Sequence, residues 1–482
     1  MEISKRKIYS LGHLKPEVLA VAFAKCSRSP ESFADIADEL TDEKSADFHE
    51  KWVVGYGHSS VAEHADLHLA VENISILATK VLEDNRLASY TEKSTRYQVF
   101  DRDRYYKPKK IMESEFGNEY ENTMNEIYDT YSSLTQPMKE FILKKYPMKE
   151  GENEKAFAAT AKARVCDNIR YLLPTATLTN VGVTMNARTL EHAIVKLLSN
   201  PLEEMNDIGK EMKEEALKIT PTLIKFANEN AYLKETIPAM EKQSAELLPE
   251  MPVPVPAVEI VSYDAGAEDK LVAALLYKTS NLPYKQIMAK VKTFNDGQKE
   301  KVIDEAMSRR ADFDQPIREL EHIYYTFDIL MDYGAFRDIQ RHRICTQTNQ
   351  EVTIINGYEI PPEIIEAGFE KKYRETMEKA VGLYNKIIEK FPKEAQYVVP
   401  LGFRKRTLFT WNLRELHHFI PLRSGSKGHI SYRRVAQACW HKLNEIQPLL
   451  AKYIRVNMEE GSSSWASTMF NPEFNYMPKK QP

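Results

Sequence analysis

Cysteine is scarce in this sequence: its 482 residues include Cys26, Cys166, Cys345 and Cys439, and no two of them form a CxxC pair. This spacing argues against a disulfide framework or a zinc site and favours a reducing compartment. No apolar run is long enough to cross a bilayer, and residues 1–5 do not begin a signal peptide. A net charge of −4 provides no global basic field for nucleic acid. We expect a soluble cytoplasmic protein with no metal and no membrane partner.

The length of the chain predicts more than one domain, because 482 residues exceed the usual size of a single core. Hydrophobic residues make up 43% of the sequence, enough to build sizeable cores. Residues 120–145 and 154–171 have helical spacing, and residues 67–71 alternate as in a strand. Pro174 is expected to end the second helix. The composition and pattern are those of a mixed helix-and-sheet protein.

The same order of elements recurs in the second half of the chain. Glu63-His64 returns as Glu321-His322 after 258 residues, and Asn186-x-Arg188 returns as Asn412-x-Arg414 after 226 residues. This duplication predicts an α/β (α+β) protein of two tandem units, each a sheet flanked by long helices, which pack as a pseudo-dimer. The predicted boundaries are residues 1–235, a proline-rich extended linker at 236–257, and residues 258–482.

Polar residues concentrate in the stretch Asp84–Tyr97, whose end, from Ser89 onward, is predicted to be a loop. Small hydroxyls and backbone amides can wrap a phosphate, and Arg96 can hold one through two N–H groups. A polar surface loop is the plainer interpretation of the same residues. In the second half, Arg341-His342-Arg343 places positive charge at the corresponding position. Together, the two stretches favour an anion-binding site.

Several motifs follow one another in a set order. They are His58-x-Ser60-x-x-Glu63-His64, a strand, an Arg-His-Arg-type triplet, a Glu-x-Ser-x-Arg-Tyr loop, Arg-x-x-x-Pro and Asn-x-Arg-x-Leu. This order resembles the flavin-dependent thymidylate synthases, and the resemblance covers nearly the whole chain apart from the linker and the tail after about residue 456. Enzymes of that family are homotetramers of a shorter chain, so the sequence resembles two fused units. The resemblance implies a homodimer that imitates the tetramer.

The two halves depart from the family pattern in opposite ways. The first half keeps the residues of the Glu-x-Ser-x-Arg loop and the arginine before the proline, which are Glu92, Ser94, Arg96 and Arg170. It has lost the Arg-His-Arg triplet, replaced by Asp84-Asn85-Arg86, and a late arginine, replaced by Leu197. The second half keeps the triplet Arg341-His342-Arg343 and the late Arg423, but Glu351, Thr353 and Gln396 replace the loop residues and the arginine before the proline. Because the losses are complementary, we expect one composite site per chain. The opposite combination places acids where an anion would bind.

The resemblance implies that the composite site methylates dUMP to dTMP with FAD as cofactor, NADPH as reductant and methylenetetrahydrofolate as carbon donor. Arg423 is the implied catalytic residue, because a guanidinium would favour ionisation of the pyrimidine N3. The implied contacts to the small-molecule nucleotide are Glu92, Lys93, Ser94, Thr95, Arg96, Arg170, Arg341 and Arg423. The implied flavin contacts are His58, Ser60, Glu92, Asn186, Arg188, Arg341, His342, Arg343, Asn412, Arg414 and His418.

Three alternatives stay open at this point. Asp338 replaces a family glutamine, and Lys427 a family histidine, so another pyrimidine nucleotide or a nucleic-acid uridine is a second candidate acceptor. The basic clusters at residues 404–406 and 432–434 could face a polyanion, although solvated surfaces are the plainer interpretation. A relic that binds flavin or nucleotide without catalysis is the third candidate. Arg188 and Arg414 could also be structural arginines that close a strand-to-helix turn.

Overall fold

A computed structural model describes residues 6–54 and 59–459. In its first half, three strands form an antiparallel sheet in the order β1–β3–β2: β1 (Asp66–Ser75), β2 (Ala88–Glu92) and β3 (Leu178–Asn186). In its second half, four strands form an antiparallel sheet in the order β4–β5–β7–β6: β4 (Val258–Tyr263), β5 (Tyr324–Asp332), β6 (Cys345–Asn349) and β7 (Arg404–Asn412).

Helices surround both sheets. They are α1 (Pro16–Cys26), α2 (Phe33–Asp38), α3 (Asp42–Phe48), α4 (Ile76–Leu82), α5 (Lys109–Met112), α6 (Gly117–Lys145), α7 (Glu154–Ile169), α8 (Ala187–Leu198), α9 (Glu203–Leu217), α10 (Ala231–Leu247), α11 (Ala267–Tyr277), α12 (Tyr284–Val291), α13 (Asp296–Met307), α14 (Tyr333–Ile339), α15 (Pro362–Glu366), α16 (Glu370–Ile387), α17 (Leu413–Ser424), α18 (Ile430–Ile446) and α19 (Pro448–Ala451). A π-helical segment covers His49–Val54, and 3-10 segments cover Ser59–His64, Arg170–Leu172, Arg318–His322 and Glu394–Val398.

The predicted loop from Ser89 onward is partly wrong, because Ala88–Glu92 is strand β2, paired with β3. The central strands β3 and β7 were not predicted at all. Val181, Val183 and Met185 alternate inward along β3, but Gly182 between them weakens the strand signal. Three basic residues open β7, and they read as a surface cluster from the sequence alone. Both sheets were therefore predicted without the strand that holds them together.

The prediction of an extended linker at residues 236–257 is partly wrong. Residues 236–247 of the predicted linker belong to α10, and only the residues after Leu247 are extended. Ala, Glu, Lys, Gln and Met favour a helix there in spite of Pro238, and the closely spaced prolines begin only at Pro249. No residue is buried along α10, so this helix contributes little to the core and connects the two halves.

The two halves repeat each other at the level of single backbone hydrogen bonds. The first residue of α4, Ile76, donates to Thr177 at 2.9 Å, and the first residue of α14, Tyr333, donates to Phe403 at 2.9 Å. The starts of α8 and α17 are tied in the same way, by Ala187 N–H to Ala65 O and Leu413 N–H to Ile323 O, both at 2.8 Å. These paired contacts place equivalent helix starts against equivalent strands.

The halves also exchange hydrogen bonds with each other. Thr175 N–H donates to Val399 O and Leu401 N–H donates to Leu173 O, both at 2.9 Å. The exchange is reciprocal, since each donor and acceptor has its equivalent in the other half. Nearby, Gly402 allows the close approach, because a Cβ there would lie 2.8 Å from the hydroxyl of Tyr373. One continuous core includes residues of both halves, so the chain packs as a single body.

Candidate anion-binding site at the junction of the halves

Strand β2 delivers a buried carboxylate, Glu92, to the junction of the two halves. Its oxygens accept hydrogen bonds from Arg337 Nη2 of the second half at 2.6 Å and from Lys80 Nζ of the first half at 3.1 Å. Burial would raise the pKa of Glu92, but Arg337, Lys80 and Arg341 outweigh it and hold the pKa at about 2. Glu92 is therefore ionised and fixes the surrounding cations. Lys80 also pairs with Glu83.

Arg170 is the least satisfied charged group at the junction. Its residue is 1% exposed, and Nε and Nη2 have no hydrogen-bond partner among the residues that the structure describes. Nη1 is 3.7 Å from Asp338 of the second half. Gly334 leaves room for this guanidinium, since a Cβ there would lie 3.3 Å from Nη2. A buried cation with two unused donors is costly unless an anionic ligand completes it.

Arg96 is held rigidly at the same junction. Its Nε and Nη2 donate to both carboxylate oxygens of Asp167, at 2.7 and 2.9 Å, and its Nη1 donates to the hydroxyl of Tyr432 at 2.9 Å. Arg423 lies over the same Tyr432 ring, 5.5 Å from its centroid. Tyr432 therefore brings Arg96 of the first half and Arg423 of the second half to one ring.

We call ten charged side chains here the junction cluster: Lys80, Glu83, Glu92, Arg96, Asp167, Arg170, Arg337, Asp338, Arg341 and Arg423. Six are cations and four are carboxylates, which leaves an excess of two positive charges. Burial would raise the pKa of Asp338, but Arg170, Arg341 and Arg423 outweigh it and lower the pKa. Arg341, with a side chain that is 43% exposed and 3.7 Å from Glu92, opens the cluster to solvent.

The remaining predicted substrate contacts lie beside this cluster. Thr95 is buried and accepts a hydrogen bond from Arg337 Nη1 at 3.0 Å. The Ser94 hydroxyl accepts from the backbone N–H of Arg96 at 3.1 Å, and the Lys93 ammonium lies over the Phe100 ring. All eight predicted substrate residues, Glu92, Lys93, Ser94, Thr95, Arg96, Arg170, Arg341 and Arg423, belong to this junction or adjoin it in the chain.

His342 lies between Glu415 and Arg423. Its Nδ1 is 2.9 Å from Glu415 Oε1, and its Nε2 is 2.8 Å from Arg423 Nε. Burial and the neighbouring Arg423 lower the pKa of His342 well below its ordinary value, so the ring is neutral. His418, exposed on α17, has its ring centroid 5.5 Å from that of His342.

Arg343 marks the opposite end of β2. Its Nη2 donates to Ala88 O at 2.5 Å, its guanidinium lies 5.0 Å from the Tyr90 ring centroid, and its Nε is buried without a partner in the described part of the chain. Ala88 pairs with Met185, the residue before Asn186. The triplet Arg341-His342-Arg343 therefore runs from the junction cluster to the end of the first sheet where Asn186 starts α8.

The two Asn-x-Arg motifs have structural partners. Asn186 and Asn412 cap α8 and α17 by accepting the N–H of Thr189 at 2.9 Å and of Glu415 at 2.8 Å. Arg188 pairs with Glu63 at 2.5 Å and Arg414 with Glu321 at 2.7 Å. These contacts support the structural alternative for both arginines, although each side chain is still partly exposed. Ser60 is exposed in its 3-10 segment, and His58 lies outside the described residues.

The equivalent position on the other side of the junction is closed by internal contacts. Gln396, which takes the place of Arg170, accepts from Val352 N–H at 3.2 Å and donates to Lys393 O at 3.2 Å. Leu77 takes the place of Gly334 and is buried. Glu351 pairs with Lys393 at 2.7 Å. The acids that the sequence places there therefore have partners within the chain.

Neither basic cluster, at residues 404–406 or 432–434, is the solvated surface that the sequence favoured. Arg404 and Lys405 are buried in β7, and Arg406 pairs with Asp328 at 2.9 Å. Burial lowers the pKa of Lys405 to about 8. Arg433 is buried as well and donates to Ser424 O at 2.9 Å. Strand and helix packing uses these residues, which argues against a polyanion surface at either cluster.

Several partners of the site were not predicted from the sequence. Asp167, Arg337, Tyr432 and Glu415 all hold predicted site residues, yet none was assigned a role in the site from the sequence. The helical spacing of Arg337 and Arg341 on one face is the signal that could have identified Arg337. Within residues 6–54 and 59–459, no helix has the length and apolar character to cross a membrane, and no cluster of ligating side chains suits a metal ion.

The junction cluster thus places an excess of positive charge between two related units. The chain belongs to the thymidylate synthase complementing protein family, whose model matches residues 11–222 and 259–449. The two matched regions confirm the tandem arrangement of flavin-dependent thymidylate synthase-like units, one in each half. The fold is confirmed as a mixture of helices and sheets in which each unit contains one small sheet.

Known relatives agree with this assignment. A UPF0159 protein of Chlamydia pneumoniae is 33% identical over 485 residues, which cover 93% of this chain and 91% of the relative. The flavin-dependent thymidylate synthase of Clostridium tetani is 30% identical over 218 residues, which cover 44% of this chain and 82% of that enzyme. A solved flavin-dependent thymidylate synthase of Helicobacter pylori, complexed with FAD and dUMP, covers 41% of this chain and 99% of its own at 19% identity, with a TM-score of 0.32.

Proposed function

We propose that this protein methylates a uracil nucleotide, dUMP to dTMP, at one composite site formed by both halves of the chain, which pack as a pseudo-dimer. The observation that carries the proposal is Arg170, buried at the junction with two donor nitrogens, Nε and Nη2, that have no partner among the described residues. Such a guanidinium is suited to a phosphate, which accepts several charge-assisted hydrogen bonds. The family assignment supplies the reaction class, and the junction cluster supplies the candidate binding site.

The charge of the junction cluster suits a phosphate monoester. Its excess of two positive charges matches a group that carries about −1.5 to −2 at neutral pH. Arg341 is exposed enough to meet an incoming phosphate, while Arg170 lies deeper. Arg96 is committed to Asp167 and Tyr432, so its proposed role is to shape the loop and add positive charge rather than to swing toward the ligand.

Arg423 is proposed to contact the pyrimidine. Its Nε is used by His342, which leaves Nη1 and Nη2 as the part of the guanidinium that can reach the base. A guanidinium that stays charged favours the ionised N3, and this makes C5 of the uracil more nucleophilic. Cys345 does not suit the role of nucleophile, because burial raises the pKa of its thiol to about 12.

The chain has groups that fit a flavin. Arg343 has a buried Nε without a partner in the described residues, Tyr90 offers an aromatic face under that guanidinium, and His418 is exposed next to His342. We propose that these residues hold FAD together with Ser60, Arg188 and Arg414. Bound FAD would supply the reducing equivalent that completes the methyl group, with NADPH as its reductant and methylenetetrahydrofolate as the source of carbon.

Asp338 favours a second candidate acceptor. A carboxylate can only accept hydrogen bonds at neutral pH, and this one lies in the junction cluster, 3.7 Å from Arg170. A pyrimidine nucleotide with an additional hydroxyl or amino donor would satisfy it better than dUMP does. UMP is therefore tested beside dUMP. The homodimer implied by the resemblance stays a prediction, which light scattering on the purified protein would check.

The experiment is a methylation assay on the purified protein. Its visible spectrum is recorded for flavin, and conversion of dUMP is followed with methylenetetrahydrofolate and NADPH. Formation of dTMP that is lost in Arg170→Ala and kept in the matched variant Gln396→Ala supports the composite site. Flavin with conversion of UMP alone moves the proposal to the second acceptor. If the protein binds no flavin after FAD is added and converts neither nucleotide, the proposed function is refuted.

A further inference from the structure

Three side chains of the second half form a continuous hydrogen-bonded chain from Glu415 through His342 to Arg423. The contacts are 2.9 Å between Glu415 Oε1 and His342 Nδ1, and 2.8 Å between His342 Nε2 and Arg423 Nε. Glu415 and His342 are buried, so water competes little for these bonds. Glu415 and Arg423 both lie on α17, two turns apart, with the imidazole between them.

Arg423 fixes the direction of these hydrogen bonds. A guanidinium N–H can only donate, so Nε2 of His342 must be the unprotonated nitrogen of the ring. The single proton of the neutral imidazole is then on Nδ1, where it is donated to Glu415. A partner on Nδ1 thus determines whether Nε2 can accept from Arg423. Glu415 is that partner.

The first half of the protein lacks all three residues of this hydrogen-bonded series. By the spacing of the repeat, Glu415, His342 and Arg423 correspond to Thr189, Asn85 and Leu197. Asn85 donates to the end of its own helix, at Leu82 O, and Leu197 is buried among apolar residues. The helix caps Asn186 and Asn412, in contrast, are kept in both halves. A role in helix stability would not require the three residues to be present or absent together.

We propose that Glu415 is a positioning residue, which acts through His342 to orient the guanidinium of Arg423 toward the bound pyrimidine. This inference rests on the function proposed above. With the carboxylate present, His342 presents Nε2 as an acceptor and locks Arg423 Nε–H. Without it, the imidazole can adopt the other tautomer, whose Nε2–H opposes the Nε–H of Arg423.

The environment of Glu415 gives the proposal a pH signature. Burial raises the pKa of Glu415 to about 7, against the opposing effects of His418 and Arg414. As pH rises through that value, the carboxylate forms and becomes the stronger acceptor for Nδ1–H, so turnover is expected to rise. The charged and titratable groups that face Glu415 and His342 lie on three elements: His418 and Arg414 on α17, Cys345 on β6, and Arg343 and Asp338 beside His342.

The test is a double-mutant cycle of Glu415→Gln and Arg423→Ala, with dUMP as substrate at pH 6 to 8. Glu415→Gln is expected to lower kcat about tenfold, to change KM less than twofold, and to remove the rise of kcat with pH. In the Arg423→Ala background it is expected to have no further effect. The matched control Thr189→Ala, at the equivalent position of the first half, should leave kcat unchanged. Multiplicative effects of the two mutations, or an unchanged pH profile, would overturn the proposal.

A second measurement separates this inference from the proposed function. Equilibrium binding of dUMP to each variant is followed by calorimetry, with no turnover required. If the wild type binds dUMP without converting it, the proposed reaction fails; non-additive losses of affinity still support the positioning role, whereas additive losses overturn it. Absence of dUMP binding overturns both. Thermal unfolding checks each variant. If Glu415→Gln does not fold, Glu415→Asp, which shortens the carboxylate reach, carries the same expectation for kcat and KM.

Discussion

Two small differences between the halves distinguish the two sides of the junction. On one side Gly334 leaves space beside Arg170, and on the other side Leu77 and Gln396 occupy the equivalent positions. A buried leucine and a hydrogen-bonded amide fill their side without charge. The glycine is thus required by the guanidinium it accommodates. Within residues 6–54 and 59–459, no hydrogen-bond partner reaches Nε or Nη2 of Arg170.

Gly334→Ala tests this relation at a single atom. The new Cβ would lie 3.3 Å from Arg170 Nη2 and 3.0 Å from Asp332 Oδ1, so the guanidinium must shift. We expect dUMP affinity to fall roughly tenfold to a hundredfold, the cost of one charged hydrogen bond of about 1.5–3 kcal/mol. Calorimetric titration measures it. The control is Gly382→Ala, where a Cβ meets nothing within 4 Å; equal losses in both variants would contradict the account.

Glu92→Gln tests the buried carboxylate at the centre of the cluster. Removal of its charge leaves Arg337 and Lys80 buried without their shared partner, so we expect the free energy of unfolding to fall by about 3–5 kcal/mol at pH 7. Urea unfolding measures the loss. Glu72→Gln, a change at an exposed position of β1, is the control and should cost little.

The pH dependence of that loss follows from the lowered pKa of Glu92. A carboxyl whose pKa falls on folding contributes stability above its unfolded value, here about 4.5, and loses it as pH falls toward the folded value of about 2. The difference between wild type and Glu92→Gln should therefore be constant above about pH 5 and shrink between pH 4.5 and 2. A constant difference down to pH 2 would show that the charge of Glu92 is not the cause.

At the scale of elements, the predicted long helices and the strand β1 are confirmed, because their periodic patterns are strong and local. The central strands β3 and β7 were missed. Gly182 and the basic start of β7 weaken their strand signals, and pairing with neighbours on both sides overrides the local preference. The motif Asn-x-Arg was recognised in both halves, but its contacts, a helix cap and an ion pair, became visible only with the fold.

The caps give a prediction at this scale. Asn186→Ala and Asn412→Ala should each lower the free energy of unfolding by about 1 kcal/mol, because both begin helices with a buried face. Asn230→Ala removes the same kind of cap from α10, which has no buried residue, and should fray that helix without changing global stability. Chemical unfolding and circular dichroism measure the three variants. A loss in Asn230→Ala as large as in the others would contradict this assignment.

At the scale of the whole molecule, the halves exchange reciprocal backbone bonds, and the junction cluster takes members from both. The complementary losses in the sequence predicted that Arg96 and Arg170 would act with Arg341 and Arg423, and the structure brings these residues to one junction. The partners Asp167, Arg337 and Glu415 could not be predicted in the same way. Arg337, for instance, contacts Glu92 across 245 residues of chain, a distance at which sequence pattern carries no pairing information.

The measurement that tests the central claim most directly is the number of nucleotides bound per chain. Calorimetric titration of dUMP into the flavin-loaded protein should give one site per chain, because one side of the junction has the arginine cluster and the other is closed by Leu77, Gln396 and the Glu351–Lys393 pair. The site should be lost in Arg170→Ala and kept in Gln396→Ala. Two sites per chain, or one site that survives Arg170→Ala, would contradict a single composite site.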